Sequence, residues 1–113
     1  MRVLLMFLLL LPAPALAFER VTTRDAFVST VEGKRLTGGG VGLVVSRQGG
    51  ISGRAFGFRV TGGWTWENGL FCRTINTAVR KLPRNCQTVA LRGDVLRFQA
   101  DQGTGDVADL TLR

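Results

Sequence analysis

Trp64-Thr65-Trp66-Glu67-Asn68-Gly69-Leu70-Phe71-Cys72-Arg73 is the stretch whose reading decides the fold. Asn-Gly between two strand-like runs is a strong hairpin signal, because a type I′ turn needs φ > 0 at both central residues. A two-residue loop sets Trp66 opposite Phe71, Trp64 opposite Arg73, and Thr65 opposite Cys72. One face of the hairpin is then aromatic and turned to a core, and the other carries the cysteine. A three-residue loop with a bulge would instead set Trp64 opposite Cys72 and pack tryptophan on a disulfide. In the two-residue register Arg73 points the way the tryptophans do. Its guanidinium then has three places open to it: stacked on Trp64, paired with an anionic ligand at the mouth of a cavity, or on an exposed rim.

Outward from this hairpin the chain is a series of short runs rich in Val, Phe, Leu and Thr, separated by Gly and Asn turns. Strands are predicted near residues 35–37, 41–46, 51–60, 63–67, 70–77, 86–92, 95–100 and 107–112. The turns fall at 47–50, 61–63, 68–69, 92–94 and 102–105, each too short for a parallel crossover. A mainly β fold follows: a small antiparallel up-and-down barrel, or a strongly curved sheet, of about eight strands. Period-2 alternation assigns core faces to Phe56, Phe58 and Val60, to Val89 and Leu91, to Leu96 and Phe98, and to Ala108, Leu110 and Leu112. Gly53 and Gly57 fall on the other side of that first strand, where curvature or close backbone approach asks for glycine. Upstream, Thr22 to Gly33 has capping hydroxyls, Asp25 in the first turn, and Phe27, Val28 and Val31 on one face. That pattern predicts a short N-terminal helix leaning on or plugging the strands.

The first 17 residues, MRVLLMFLLLLPAPALA, combine Arg2, an apolar run and an Ala-Leu-Ala end, the pattern of a secretory signal peptide cleaved near Ala17. The apolar run before Pro12 is far short of the roughly 20 residues that span a bilayer. Residues 18–113 are thus expected to form one domain, periplasmic or secreted, with no membrane span. In an oxidising compartment the default fate of Cys72 and Cys86 is a disulfide. The chain has no histidine and no C-x-x-C spacing, which argues against a metal site or a redox pair. The formal charge is +7, and every basic residue except Lys34 and Lys81 is arginine. A basic surface attracts anionic polymers and lipid head groups. These arginines are scattered singly, a pattern of solvated surface with no specific nucleic-acid site.

The sequence has no histidine to serve a catalytic triad. Nucleophilic catalysis of the Ser-His-Asp or Cys-His kind needs a base that titrates near neutrality, usually histidine. Paired carboxylates could do acid and base work instead, from among Glu67, Asp94, Asp101, Asp106 and Asp109, but all of these sit in or beside predicted turns, where carboxylates are ordinarily solvated. Gly38-Gly39-Gly40-Val41-Gly42 lacks the third glycine and the following helix of a dinucleotide fingerprint, so it is expected to turn into a strand. Asp101 to Asp109 carries glycine-spaced carboxylates without the calcium-loop pattern.

The pattern W-x-W-x-x-G-x-F-C-R, followed by N-C-Q and the closing DQGTGDVADLTLR, resembles a family of small secreted bacterial proteins over most of residues 18–113. Some members of that family carry the inherited name dihydrodipicolinate reductase. Residues 18–113 leave no room for a Rossmann domain plus a substrate domain, and they contain no catalytic His-Lys arrangement. In architecture the chain is also similar to lipocalin-like binders and to small periplasmic inhibitors. The expected function is a non-enzymatic module, without cofactor or metal, that binds a small anionic or amphipathic ligand or an envelope protein. Trp64, Trp66, Phe71 and Arg73 would form its recognition surface. The alternatives are an inhibitor that presents a turn or its N-terminal segment to a secreted hydrolase, and a small enzyme matching the reductase name.

Overall fold

A computed structural model describes Val3, Leu4, Met6 and residues 17–113. The rest of the expected leader lies outside the described residues. The hairpin at Asn68-Gly69 has the two-residue loop: Trp64 pairs with Arg73, Thr65 with Cys72 and Trp66 with Phe71. Both turn residues take left-handed backbone, with φ of 51° and 75°. Cys72 lies directly opposite Cys86 on the next strand, and the two form a disulfide. Thr65, Cys72 and Cys86 share the outer face, so the cross-link staples adjacent strands outside the aromatic core.

The elements in chain order are β1 (Glu19–Val21), α1 (Arg24–Val31), β2 (Leu36–Gly38), β3 (Val41–Val45), β4 (Gly50–Ala55) and β5 (Phe58–Glu67), then β6 (Leu70–Asn76), β7 (Lys81–Arg92), β8 (Val95–Gln99), α2 (Ala100–Gly103) and β9 (Val107–Leu112). From β2 to β9 each strand pairs antiparallel with its successor, and β9 pairs back onto β2 through Leu36–Leu112 and Thr37–Thr111. The result is a closed eight-stranded up-and-down barrel with no unpaired edge strand in the ring. The additional strand β1 pairs with β7 through Glu19–Leu91 and Val21–Val89. It uses the stretch of β7 beyond the pairing with β6. Phe18 lies between two guanidinium groups, 4.4 Å from Arg92 and 4.0 Å from Arg97, and Arg97 forms a bidentate pair with Asp109 across β8 and β9.

Helix α1 begins at Thr23, whose hydroxyl accepts from the Ala26 amide at 3.2 Å, a side-chain cap on an otherwise orphaned donor. Phe27, Val28 and Val31 are its buried residues. They meet Leu36, Val45, Ile51, Val60, Trp64 and Phe71 of the barrel wall in a single core.

Four expectations are corrected. The expected strand 51–60 is two strands, β4 and β5, and the turn falls at Phe56-Gly57, with φ of 52° and 84°. The expected turn at Thr61-Gly62-Gly63 is the interior of β5. A Cβ on Gly62 would run into the Thr74 carbonyl, and one on Gly53 into the Gly42 carbonyl. These glycines let neighbouring strands close in on a tightly curved wall, and their reason is approach rather than reversal. Phe56 and Phe58, expected in the core, are 74% and 46% exposed, while Val60 is buried. Strand β7 also starts earlier than expected. Pro83, which signals a break, sits where the register shifts between Arg73 and Ile75 of β6, and such a bulge accommodates a residue that cannot donate.

Two outcomes follow for stability. Replacing both cysteines by serine is expected to lower the unfolding free energy by about 3 kcal/mol, measured by urea denaturation beside the oxidised and reduced wild type. Phe56→Asn relieves a bulky side chain from left-handed backbone, where Asn is tolerated. It is expected to raise stability by about 1 kcal/mol in the same assay.

Candidate functional site

Alternation of an up-and-down barrel sends its turns to two ends. One end holds the turns 46–49, 68–69 and 93–94 together with α1 and the C-terminus. The other holds the turns 39–40, 56–57 and 77–80 together with α2. The first end is closed. Phe27 is fully buried and stacks on Trp66 with ring centroids 5.2 Å apart. It meets Trp64 edge-on at 5.2 Å and Phe71 at 5.0 Å. Such aromatic contacts add to plain area burial. The Trp64 indole donates to the Ser46 carbonyl at 2.9 Å, and Arg24 covers the ring from outside at 5.3 Å. Arg24 therefore takes the position on Trp64 that was one of three expected for Arg73.

Above the aromatic floor the barrel holds a cavity of about 290 Å³. Its wall includes Leu43, Val45, Ile51, Phe71, Phe98 and Leu110, and its only polar lining side chains among the described residues are Arg73 and Gln87. The structure thus places Phe71 and Arg73 in the cavity wall. Trp64 and Trp66, by contrast, surround Phe27 and are not among the residues that line the space. The four residues expected to act together are divided between a floor and a wall.

Arg73 is half-buried, and its guanidinium donates to the Pro83 carbonyl at 2.9 Å, next to the register shift. Burial pushes its pKa below the ordinary arginine value, since desolvation disfavours the charged form. It takes part in none of the ion pairs among the described residues. An arginine stays protonated in proteins even so. The cavity therefore carries a positive charge held against apolar walls by one neutral hydrogen bond.

Gln87 is buried, and its amide donates to Asn85 Oδ1 at 3.2 Å. Asn85 in turn donates to Asp101 Oδ1 at 2.8 Å and accepts from the Asp101 amide. This chain of hydrogen bonds runs from α2 down the inner side of β7 and fixes the Gln87 amide. Sequence reading did not single out Gln87. Its signal was available: it follows the outward Cys86 and alternates with the inward Val89 and Leu91.

Among the carboxylates weighed for acid and base chemistry, Glu67, Asp101 and Asp109 serve as surface partners. Glu67 accepts from Thr65 and pairs with Arg84, and the first of these contacts leads in holding its carboxyl below the usual range. The hydrogen bond from Arg97 does the same for Asp109. Among the described residues no group of three or more His, Cys, Asp or Glu is placed to hold a metal ion, and no helix is long and apolar enough to cross a membrane. Gly39 and Gly40 form the hairpin turn between β2 and β3. No family model, curated protein or solved structure matches this chain.

The aromatic floor separates packing from binding experimentally. Phe27→Ala is expected to cost about 3–5 kcal/mol and to collapse the near-ultraviolet circular dichroism of the two tryptophans. An unchanged spectrum and unfolding midpoint would show that α1 does not seat the floor.

Proposed function

We propose that this barrel is a non-enzymatic module, exported to the periplasm or beyond, that binds a small amphipathic anion. The apolar part of the ligand lies in the cavity and its anionic group meets Arg73. The leader-like start of the sequence and the disulfide support the exported setting. The observation that carries the binding role is the Arg73 guanidinium, half-buried in an apolar wall and facing no carboxylate among the described residues. A carboxylate or phosphate would supply the charge-assisted, bidentate partner that a guanidinium fork matches. Gln87 offers a second polar contact at a fixed position. Ligand pockets generally combine apolar walls with a few placed polar groups, and this cavity lies at the small end of their roughly 300–1,000 Å³ range. An inhibitor presenting a projecting loop over a filled barrel receives less support, because space remains inside.

Decanoate and decanol serve as charged and neutral probes of one chain length. Calorimetric titration is expected to show decanoate binding more tightly, with Arg73→Gln weakening it by about 1.5–3 kcal/mol, roughly 10- to 150-fold, and leaving decanol unchanged. Failure of the wild type to bind either probe, or an equal loss for both in the variant, would refute the assignment.

A further inference from the structure

The mouth of the barrel has a property that the cavity does not require. Apart from Val44, the exposed large apolar side chains of the barrel are Phe56, Phe58, Val79 and Val107. All four belong to the open end: Phe56 in the β4–β5 turn, Phe58 at the start of β5, Val79 in the β6–β7 turn and Val107 at the start of β9. Of the hairpin turns with left-handed backbone at both central residues, those at Phe56-Gly57 and Asn68-Gly69 make an instructive pair. At the closed end the left-handed first position is Asn68, and at the open end it is Phe56, with nearly the same φ. A bulky residue is strained in that conformation and Asn is not. Phe56 is nonetheless 74% exposed, its ring lying over Gly40 of the neighbouring turn. Beyond that one contact the strain leaves most of an aromatic ring in solvent, and such outliers motivate a functional hypothesis.

The charges at the same end point to the kind of partner. Arg54 and Arg59 sit directly opposite each other across β4 and β5, an arrangement of like charges that destabilises a sheet. Arg80 and Lys81 directly follow Val79. All four are exposed, and none joins an ion pair among the described residues. Exposed apolar side chains flanked by unpaired basic groups match an anionic bilayer surface, which takes the apolar groups among its acyl chains and the cations among its head groups. We infer that the open mouth of the barrel docks on anionic phospholipid membranes, with Phe56 and Val79 inserted and Arg54, Arg59, Arg80 and Lys81 against the head groups. The inference does not need the cavity to be occupied, since rim and cavity are made by different residues.

The test uses the full chain with vesicles of equal parts phosphatidylglycerol and phosphatidylcholine, and with pure phosphatidylcholine. Vesicle sedimentation is expected to show binding to the anionic vesicles that is at least tenfold tighter and weakens with salt. Amide exchange should slow at 39–40, 56–57 and 77–80 and not at Asn68-Gly69. The pair Phe56→Asn and Val79→Ser should abolish that protection and reduce binding at least tenfold. Phe56 and Val79 are both largely exposed, so the pair is expected to keep the fold, and an unchanged circular dichroism spectrum checks this. Binding that survives both substitutions would assign attachment to the apolar segment within residues 1–17 and overturn the inference. So would absence of binding, or a dimer in native mass spectrometry that the same pair dissolves, which would give the rim to a second copy of the chain. Loss of rim docking with intact decanoate binding leaves the cavity reading standing, and the converse result leaves docking standing.

Discussion

An eight-stranded barrel encloses about enough space for its own side chains or for one small ligand. Phe27 decides how that space is divided. Carried on a helix of two turns, it enters one end and meets Trp64, Trp66, Phe71 and Phe98. The strands that bear these aromatics cannot shift register by one residue without turning every one of them to solvent. Thr23 starts the helix at the place where Phe27 can reach the barrel axis, and β1, held on β7 and by Phe18 between Arg92 and Arg97, fixes the chain that leads into it. The helix fills the closed end only, and the space beyond Phe71 is what remains as the cavity.

The rest of the interior follows from that division. Beyond the aromatic layer the wall is aliphatic, and it accommodates Arg73 because the irregularity in β7 presents a carbonyl to it. A proline in a barrel strand withdraws a donor. At Pro83 the chain bulges, and the free acceptor on the same residue meets the guanidinium. Gln87 is held by Asn85 and Asp101, so the two polar groups of the cavity are each oriented by backbone or side-chain partners from β7 and α2. The outer surface near them carries the disulfide and the Glu67–Arg84 pair. Structural cross-links and the polar interior thus occupy opposite faces of the same strands.

Legibility in the sequence varied with the length scale of the signal. At Asn68-Gly69 the turn chemistry and the aromatic alternation agree in favouring the two-residue loop, with inward tryptophans and, from the alternation of Cys86 against Val89 and Leu91, an outward disulfide. The bulged alternative was set aside only by the pairing of Thr65 with Cys72. At Phe56-Gly57 the same turn geometry occurs with a residue that ordinarily avoids it, so local preference pointed to Thr61-Gly62-Gly63 instead. Those glycines answer to the Thr74 carbonyl on the neighbouring strand, a constraint that no local reading contains. The strand β1 escaped notice because three residues show no periodicity, and its pairing depends on how far β7 extends past β6.

The residues by themselves determined the mainly β class and the antiparallel order, because these rest on period-2 alternation and on turns too short for any other connection, and they favoured the cysteine pair and the inward direction of Trp64, Trp66, Phe71 and Arg73. Only the tertiary structure decided that the sheet closes through β9 and β2, that Phe27 claims the tryptophans as a floor, and that Arg73 is left in the wall of an open cavity beneath an apolar, basic rim. These depend on contacts between segments far apart in the chain. Which side chain fills the shared interior is settled by the volume available once the barrel has closed.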